Sequence, residues 1–200
     1  LAFQYQASLD MIHILLSACP DAAKVKNKEG YTPLHWVCEE TPFVDRIDAL
    51  RSSFPDAAKE KNCRGHTPLH LACQHGASLD VVLLLLHFWL EAAENRNRHS
   101  VQSLICRYTP SDVKNLLFYV SSLFNEVQYY PSPHEIMSFF ISINWLNGAM
   151  FVISMYPTVT KNLKLHTKVM ADYLSVVGKC CRLTAMSMII QNEPDLLEGV

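Results

Sequence analysis

Apolar stretches of helical length alternate with polar turn segments along the first half of the chain. Residues 79–90 contain a continuous apolar run from Val81 to Leu86, and their length is typical of a helix in a globular protein. Residues 68–75 predict a second, shorter helix, which Gly76 ends because glycine readily adopts the left-handed backbone that closes a helix. A pair of such short helices cannot bury its own apolar face, so neighbouring segments must complete the core.

This arrangement repeats at a fixed interval. The hexapeptide Gly-x-Thr-Pro-Leu-His occupies residues 30–35 and returns 35 positions later, at residues 65–70. The segment ahead of it, Pro-Asp-Ala-Ala-Lys-x-Lys-Asn, occupies residues 20–27 and 55–62, with a looser copy at residues 90–97. A constant period of this size indicates stacked repeats, in which each unit contributes one part of a continuous core.

The repeated hexapeptide contains the residues that start a helix after a tight turn. Thr32 and Thr67 stand where an N-cap hydroxyl can accept a hydrogen bond from the first helical turn. The proline that follows suits the first helical position, where its missing N–H costs nothing. The leucine after that proline is predicted to point into the stack. Gly30 and Gly65 suit a turn residue with positive φ. We therefore expect each unit to be a projecting turn followed by two antiparallel helices.

The repeat resembles that of the ankyrin family, whose usual unit has about 33 residues and contains Thr-Pro-Leu-His. The resemblance covers residues 1–99. It implies an all-α, ankyrin-type solenoid of stacked helix-turn-helix repeats. It further implies that His35 and His70 hydrogen-bond back to their threonines and across to the neighbouring loop.

Both ends of the repeat region depart from the regular unit. The register places Leu1 inside a repeat, so we expect a truncated first unit, in a fragment of a longer array or a truncated gene model. After Asn97 the motif decays, since Ser100 replaces the glycine of the turn. Residues 100–200 predict degenerate ankyrin-like repeats that continue the stack, and a separate helical bundle would show a similar periodicity.

One apolar segment of the second half is long enough to cross a bilayer. Residues 136–160 contain no charged residue, and about 20 apolar residues suffice for a spanning helix. The segment also contains serines, asparagines and the pair Asn147-Gly148, which predicts a turn between two shorter helices. Lipid offers no partner for these polar groups, so a buried helical hairpin is favoured. The alternative is a membrane-tethered ankyrin protein with an inserted segment near residues 136–160.

Composition and charge narrow the function further. The net charge of -2 lacks the basic excess of a nucleic-acid-binding protein, so no nucleic-acid partner is expected. Seven cysteines, an odd number without paired spacing, are typical of a reducing compartment rather than of a secreted disulfide scaffold. We therefore expect an intracellular, cytoplasmic protein, and nothing in the pattern calls for a cofactor.

Several cysteines and histidines could carry chemistry, but the repeat explains most of them. The His-x-x-Cys pairs at residues 35–38 and 70–73 belong to the repeated helix, so no metal site is expected. Cys63, beside Arg64 in a turn, and the pair Cys180-Cys181 are candidates for a reactive thiol. Without a nucleophile elbow or a phosphate-binding glycine loop, the chain is predicted not to be an enzyme. A further alternative is an enzyme whose catalytic part lies beyond this sequence.

The resemblance implies that a partner contacts the turn tips and the inner helix faces. We predict a non-catalytic protein-protein interaction module, or scaffold, that is monomeric and presents a concave surface to an unidentified protein partner. Tyr31 and Trp36 are expected to be exposed anchors, because aromatic residues often dominate binding energy. The repeat register also places Val101 at the turn tip of the third unit. The predicted partner-binding residues are Lys28, Glu29, Tyr31, Trp36, Glu39, Glu40, Cys63, Arg64, His66, Gln74, His75, Arg98 and His99.

Overall fold

A computed structural model describes residues 8–40, 42–125, 131–156 and 159, and all regular structure in these residues is helical. The predicted all-α class is therefore confirmed for this part of the chain. Short 3₁₀-helices at Pro20–Lys24, Pro55–Lys59 and Ala93–Asn95 follow α1, α3 and α5. The α-helices are α1 (Leu9–Ala18), α2 (Pro33–Glu40), α3 (Val44–Ser53), α4 (Pro68–Gln74), α5 (Leu79–Trp89), α6 (Arg98–Ser103), α7 (Ser111–Ser122), α8 (Pro133–Ser142) and α9 (Leu146–Met155).

The chain divides into two compact units, residues 1–124 and residues 125–200. The predicted domain limits, 1–99 and 100–200, follow the sequence repeats and stay a prediction. The expected start of the truncated first repeat falls on residues 1–7, which lie outside the described residues.

Helical hairpins pack side by side in the first compact unit. The first full repeat contains α2 and α3, the second contains α4 and α5, and the third contains α6 and α7. The inner helices α2 and α4 contact each other, and α3 contacts α1 on one side and α5 on the other. α5 in turn contacts α7. The hairpins therefore form two layers of stacked helices, as the repeated pattern predicts.

Residues from both layers form the core. Leu34 and Leu69, the leucines of the repeated motif, are each 1% exposed. Ile47, Leu85 and Trp89, from the outer helices, are buried as well. Burying a large apolar side chain contributes about 1.5–3 kcal/mol relative to leaving it in water. The prediction that the motif leucines point into the stack is confirmed.

The described part of the second compact unit is a helical hairpin, in which α8 and α9 contact each other. Ser132 and Glu135 form a capping box at the start of α8, where the Ser132 N–H donates to the Glu135 carboxylate at 2.7 Å. The Glu135 N–H donates in return to Ser132 Oγ at 3.3 Å. Across the described ranges, no helix has both the length and the apolar character needed to cross a membrane.

The turn between α8 and α9 lies at residues 143–145, so the prediction of a turn at Asn147-Gly148 is wrong. Asn144 makes the turn with a φ of 56°, which asparagine tolerates better than most residues. Gly148 lies inside α9 instead, where a Cβ atom would overlap the ring of Trp145. This glycine is therefore required for close packing against the ring and not for a turn.

Candidate protein-binding surface

Two projecting turns, residues 27–31 and residues 62–66, precede the inner helices α2 and α4, and we call them the tips. In the first tip, the side-chain oxygen of Asn27 accepts hydrogen bonds from the N–H groups of Glu29 and Tyr31, both at 2.9 Å. A matching asparagine makes the same two bonds in the second tip, at 2.9 and 3.0 Å. One side chain thus holds each tip in a fixed shape.

The two tips pack against each other. The N–H of Cys63 donates a hydrogen bond to the carbonyl oxygen of Glu29 at 2.9 Å. Gly30 and Gly65 both have a φ of 78°, which confirms the predicted turn conformation. A Cβ atom on Gly30 would lie 3.0 Å from the Cys63 nitrogen, whereas one on Gly65 would meet nothing within 4 Å. Only the first glycine is therefore also needed for close approach between tips.

His35 connects the start of its own helix to the next tip. Its Nδ1 accepts hydrogen bonds from the Thr32 N–H at 3.1 Å and from the Thr32 hydroxyl at 2.8 Å. Because Nδ1 accepts, the ring proton lies on Nε2, which donates to the His66 carbonyl oxygen at 3.1 Å. Burial lowers the pKa of His35 to about 4, so the ring is neutral at pH 7. The bonds that the resemblance implies are therefore confirmed for His35.

His70 has the same position in the second repeat. Its Nδ1 accepts a hydrogen bond from the Thr67 N–H at 3.2 Å, within a capping box at the start of α4. Its Nε2 faces the Ser103 hydroxyl at 3.4 Å, a side chain of α6 rather than a loop carbonyl. Burial, followed by the neighbouring His66, lowers the pKa of His70 to about 4. The bonding partner differs because the third repeat has no tip.

The third repeat begins directly as a helix. The Asn97 side chain caps α6 by accepting a hydrogen bond from the Ser100 N–H at 2.8 Å. Ser100 stands where the first two repeats have glycine, and serine rarely adopts the positive φ of a tip. Arg98 and His99 are therefore exposed in the first turn of α6, and Val101 is fully buried. The prediction that the third repeat has a turn tip that includes Val101 is wrong for this reason.

Most of the predicted binding residues of the first two repeats are accessible on adjoining elements. The tips are hydrogen-bonded to each other and α2 contacts α4, so the structure brings these residues together. The exposed members are Lys28, Glu29, Glu40, Cys63, Arg64 and His75, and the half-buried members are Trp36, Glu39, His66 and Gln74.

Tyr31 is buried, so the prediction that it is an exposed anchor is wrong. It is 7% exposed, because its ring packs 5.2 Å from the ring of Trp36 and 5.5 Å from that of His35. Burial, followed by the nearby Glu39 carboxylate, raises the pKa of its hydroxyl, whereas Arg64 lowers it. Tyr31 thus supports the ring of Trp36 and presents little surface of its own.

A family model described as ankyrin repeats (3 copies) matches residues 1–97. The sequence of residues 1–97 is therefore that of ankyrin repeats. The match confirms the predicted ankyrin-type solenoid, and such repeats generally form surfaces for binding other proteins. No curated protein and no solved structure matches the chain.

Ion pairs join each ankyrin repeat to the next along the connecting segments. They are Lys26–Glu60 at 2.6 Å, Lys59–Glu91 at 2.8 Å and Lys61–Glu94 at 3.2 Å. Exposed pairs of this kind contribute about 0.2–1 kcal/mol each. Among the described residues, the charged residues of the predicted binding set form no ion pair within 4.0 Å.

The cysteines of the inner ankyrin helices fill the core. Cys38 and Cys73 are fully buried, and burial raises the pKa of Cys73 to about 12. Cys63 is exposed on the second tip, with its Sγ 3.8 Å from the Lys28 carbonyl oxygen. In the part of the chain that the structure describes, no group of three His, Cys, Asp or Glu residues could hold a metal ion. The pair Cys180-Cys181 lies outside that part.

A groove between α1 and α3 was not predicted from the sequence. It has a volume of about 500 Å³, and its lining includes His13 from α1 and Asp45 and Asp48 from α3. Asp48 is paired with Arg51 at 3.1 Å. The groove combines residues from two ankyrin repeats that no motif connects, so it becomes visible only in the folded stack.

Proposed function

We propose that this protein is a non-catalytic protein-protein interaction module whose binding surface consists of the two tips and the helices α2 and α4. The observation that carries the proposal is the division between framework and surface residues. Thr32, Leu34 and His35 of the motif are buried, whereas the residues at matching accessible positions differ between the repeats. The inner surface, as we name it, comprises Lys28, Glu29, Trp36, Glu39, Glu40, Cys63, Arg64, His66, Gln74 and His75.

The bonds within and between the tips support this function. A surface that is already ordered loses little conformational entropy on association, so more of the contact energy appears as affinity. The asparagine bonds, the contact between the tips and the bond from His35 to His66 keep the backbone of the surface fixed. In this proposal Tyr31 supports the inner surface from beneath, and Arg98 and His99 border it on the third repeat.

We also propose an intracellular location for the protein. The cysteines in the described residues are all free thiols, as is usual for proteins of a reducing compartment. They are Cys19, Cys38, Cys63, Cys73 and Cys106.

Affinity capture with the full 200-residue chain tests the interaction function. The captured protein is identified by mass spectrometry, and its binding to the purified chain is then measured. The variant Lys28→Ala/Arg64→Ala removes two cations from the tips, and Gln74→Ala/His75→Ala alters the end of α4. We expect each variant to weaken binding by about tenfold or more, with helicity unchanged by circular dichroism.

The variant Lys24→Ala/Lys114→Ala is the matched control, because it removes two cations that lie outside the inner surface. We expect it to bind the captured protein as tightly as the unaltered chain does. Equal binding by the unaltered chain and all three variants would place the partner elsewhere on the molecule and contradict the proposal.

A further inference from the structure

One side of α2 combines an aromatic ring with two carboxylates. Glu39 and Glu40 follow Trp36 by three and four positions, which places all three residues on the same side of a helix. Trp36 and Glu39 are half-buried and Glu40 is exposed, so each is accessible to another molecule. We call these three residues the α2 face.

The two carboxylates of the α2 face destabilise the helix that carries them. They occupy the last turn of α2, where the helix dipole disfavours anions and favours cations. No basic residue of α2 lies in that turn to offset them. The matching positions of the second repeat hold Gln74 and His75, so the ankyrin framework does not require acids here.

Neither carboxylate of the α2 face forms an ion pair within the described residues. Among the described residues, neither Glu39 nor Glu40 has a Lys, Arg or His nitrogen within 4.0 Å. By contrast, Glu60, Glu91 and Glu94 are each paired with a lysine of the preceding repeat. Accessible carboxylates without a partner are complementary to a cation supplied by another molecule.

Trp36 is a second, independent feature that suits a cation. Its ring centre lies 5.2 Å from that of Tyr31, and this contact limits its orientation. The matching residue of the second repeat is Leu71, which is buried, so the repeat itself does not require an accessible aromatic ring here. The face of an indole attracts Lys and Arg head groups, and their methylene stems pack well on apolar surface.

We propose that the α2 face binds a lysine or arginine side chain from a basic segment of the protein partner. The stem of that side chain lies along Trp36, and its charged head meets Glu39 and Glu40. This inference rests on the proposed function and names the chemical class of the partner.

The sign of the charged groups on the inner surface differs between the two ends of α2. Lys28 and Arg64 place cations on the tips, at the N-terminal end of α2, with Glu29 beside Lys28. Charges of both signs act on the hydroxyl of Tyr31. Beyond the effect of burial, Glu39 and Glu29 raise its pKa and Arg64 lowers it. The basic side chain is therefore favoured at the C-terminal end of α2 and disfavoured beside the tips.

Fluorescence anisotropy with a labelled peptide tests this inference on the full chain. The probe is a peptide in which arginine alternates with glycine and serine, and a peptide with glutamine in place of arginine is the control probe. We expect only the arginine peptide to bind, and Glu39→Gln/Glu40→Gln to weaken its binding by about tenfold or more. Trp36→Leu, with the residue type of the second repeat, should weaken it by roughly threefold to tenfold.

The variant Asp10→Asn/Asp80→Asn is the matched control, because it removes two exposed carboxylates from α1 and α5 and leaves the α2 face intact. It should bind the arginine peptide as tightly as the unaltered chain does. The Glu39→Gln/Glu40→Gln variant should melt at the same or a higher temperature, since it removes an unfavourable interaction at the end of α2.

Several results would overturn the inference. They are the absence of binding, equal binding by the unaltered chain and the variants of the α2 face, and tighter binding of a glutamate peptide or a single-stranded nucleic acid. The capture experiment separates this failure from that of the proposed function. A partner whose binding depends on Arg64 and His75 but not on Glu39 and Glu40 would retain the interaction module and overturn only the basic-segment inference.

Discussion

Leu69 shows how strongly the stack depends on single buried side chains. It is 1% exposed, and it lies on α4, which contacts α2 of the preceding repeat. Leu69→Ala removes apolar contacts and leaves a cavity, so we expect it to lower the free energy of unfolding by about 2–5 kcal/mol in urea denaturation. Glu40→Ala, at an exposed position, should change that free energy by less than about 0.5 kcal/mol. Equal effects of the two substitutions would contradict the stacked core.

Gly148 is constrained by a ring rather than by its backbone angles. Gly148→Ala forces a methyl group into the space of the Trp145 ring, so we expect a loss of about 1–3 kcal/mol in the free energy of unfolding. This loss should exceed the gain of about 1 kcal/mol in helix propensity. Thermal unfolding compares it with Asn147→Ala, an exposed neighbour in the same helix, which should be neutral or slightly stabilising. A stabilised Gly148→Ala variant would refute the packing of Trp145.

The environment of a single residue could be predicted from the sequence only where the repeated motif determines it. The buried leucines and the bonds of His35 could be predicted, because a repeated motif implies a repeated environment. Tyr31 could not, since its register shows which element it belongs to but not which neighbour covers it. Its contacts with Trp36 and His35 depend on the packing of side chains, which the motif alone does not determine.

The two tips are elements with one backbone shape and different surroundings. Gly30→Ala and Gly65→Ala both place a side chain at a φ of 78°, which costs about 1–2 kcal/mol. A Cβ on Gly30 also lies 3.0 Å from the backbone nitrogen of Cys63, which cannot move aside easily. We therefore expect Gly30→Ala to lower the free energy of unfolding by about 1 kcal/mol more than Gly65→Ala in urea denaturation. Equal losses would mean that the tips do not pack closely.

Helix pairs could be predicted wherever start and stop residues were intact. The predicted segment 68–75 is observed as Pro68–Gln74, with Gly76 just beyond it at a φ of 71°. The absence of a tip before α6 was not predicted. It depends on the positive φ that a tip requires at the position of Ser100. The turn before α9 was misplaced because a local pattern cannot separate a glycine needed for a turn from one needed for packing.

For the molecule as a whole, repetition in the sequence predicted the order of the stack in the first compact unit. Each repeat contacts its neighbours through apolar side chains, histidine bonds and ion pairs. The stability of such a stack is approximately a sum over repeats and their interfaces. The same register located the candidate surface on the first two repeats, and it failed on the third, where the motif is lost.

Two of the contacts that join the repeats make the stability of the stack depend on pH. His35 and His70 have pKa values of about 4 in the folded chain, below the ordinary value of 6.5. The unfolded chain therefore binds more protons between these values, so stability should be greatest above about pH 6.5 and fall toward pH 4. One pKa unit corresponds to about 1.4 kcal/mol, so His35 alone accounts for up to roughly 3 kcal/mol. His87, whose pKa burial also lowers, acts in the same direction.

Urea denaturation at a series of pH values between about 4 and 8 measures this dependence. His35→Gln should flatten the slope below about pH 6.5, because it removes the group that the unfolded chain protonates. It should also lower stability at neutral pH, since the bonds to Thr32 and His66 are lost. Gln102→Asn, at an exposed position on α6, removes no titratable group, so as the control it should leave the slope unchanged. If His35→Gln also left the slope unchanged, the buried ring could not be the neutral link between repeats that its hydrogen bonds indicate.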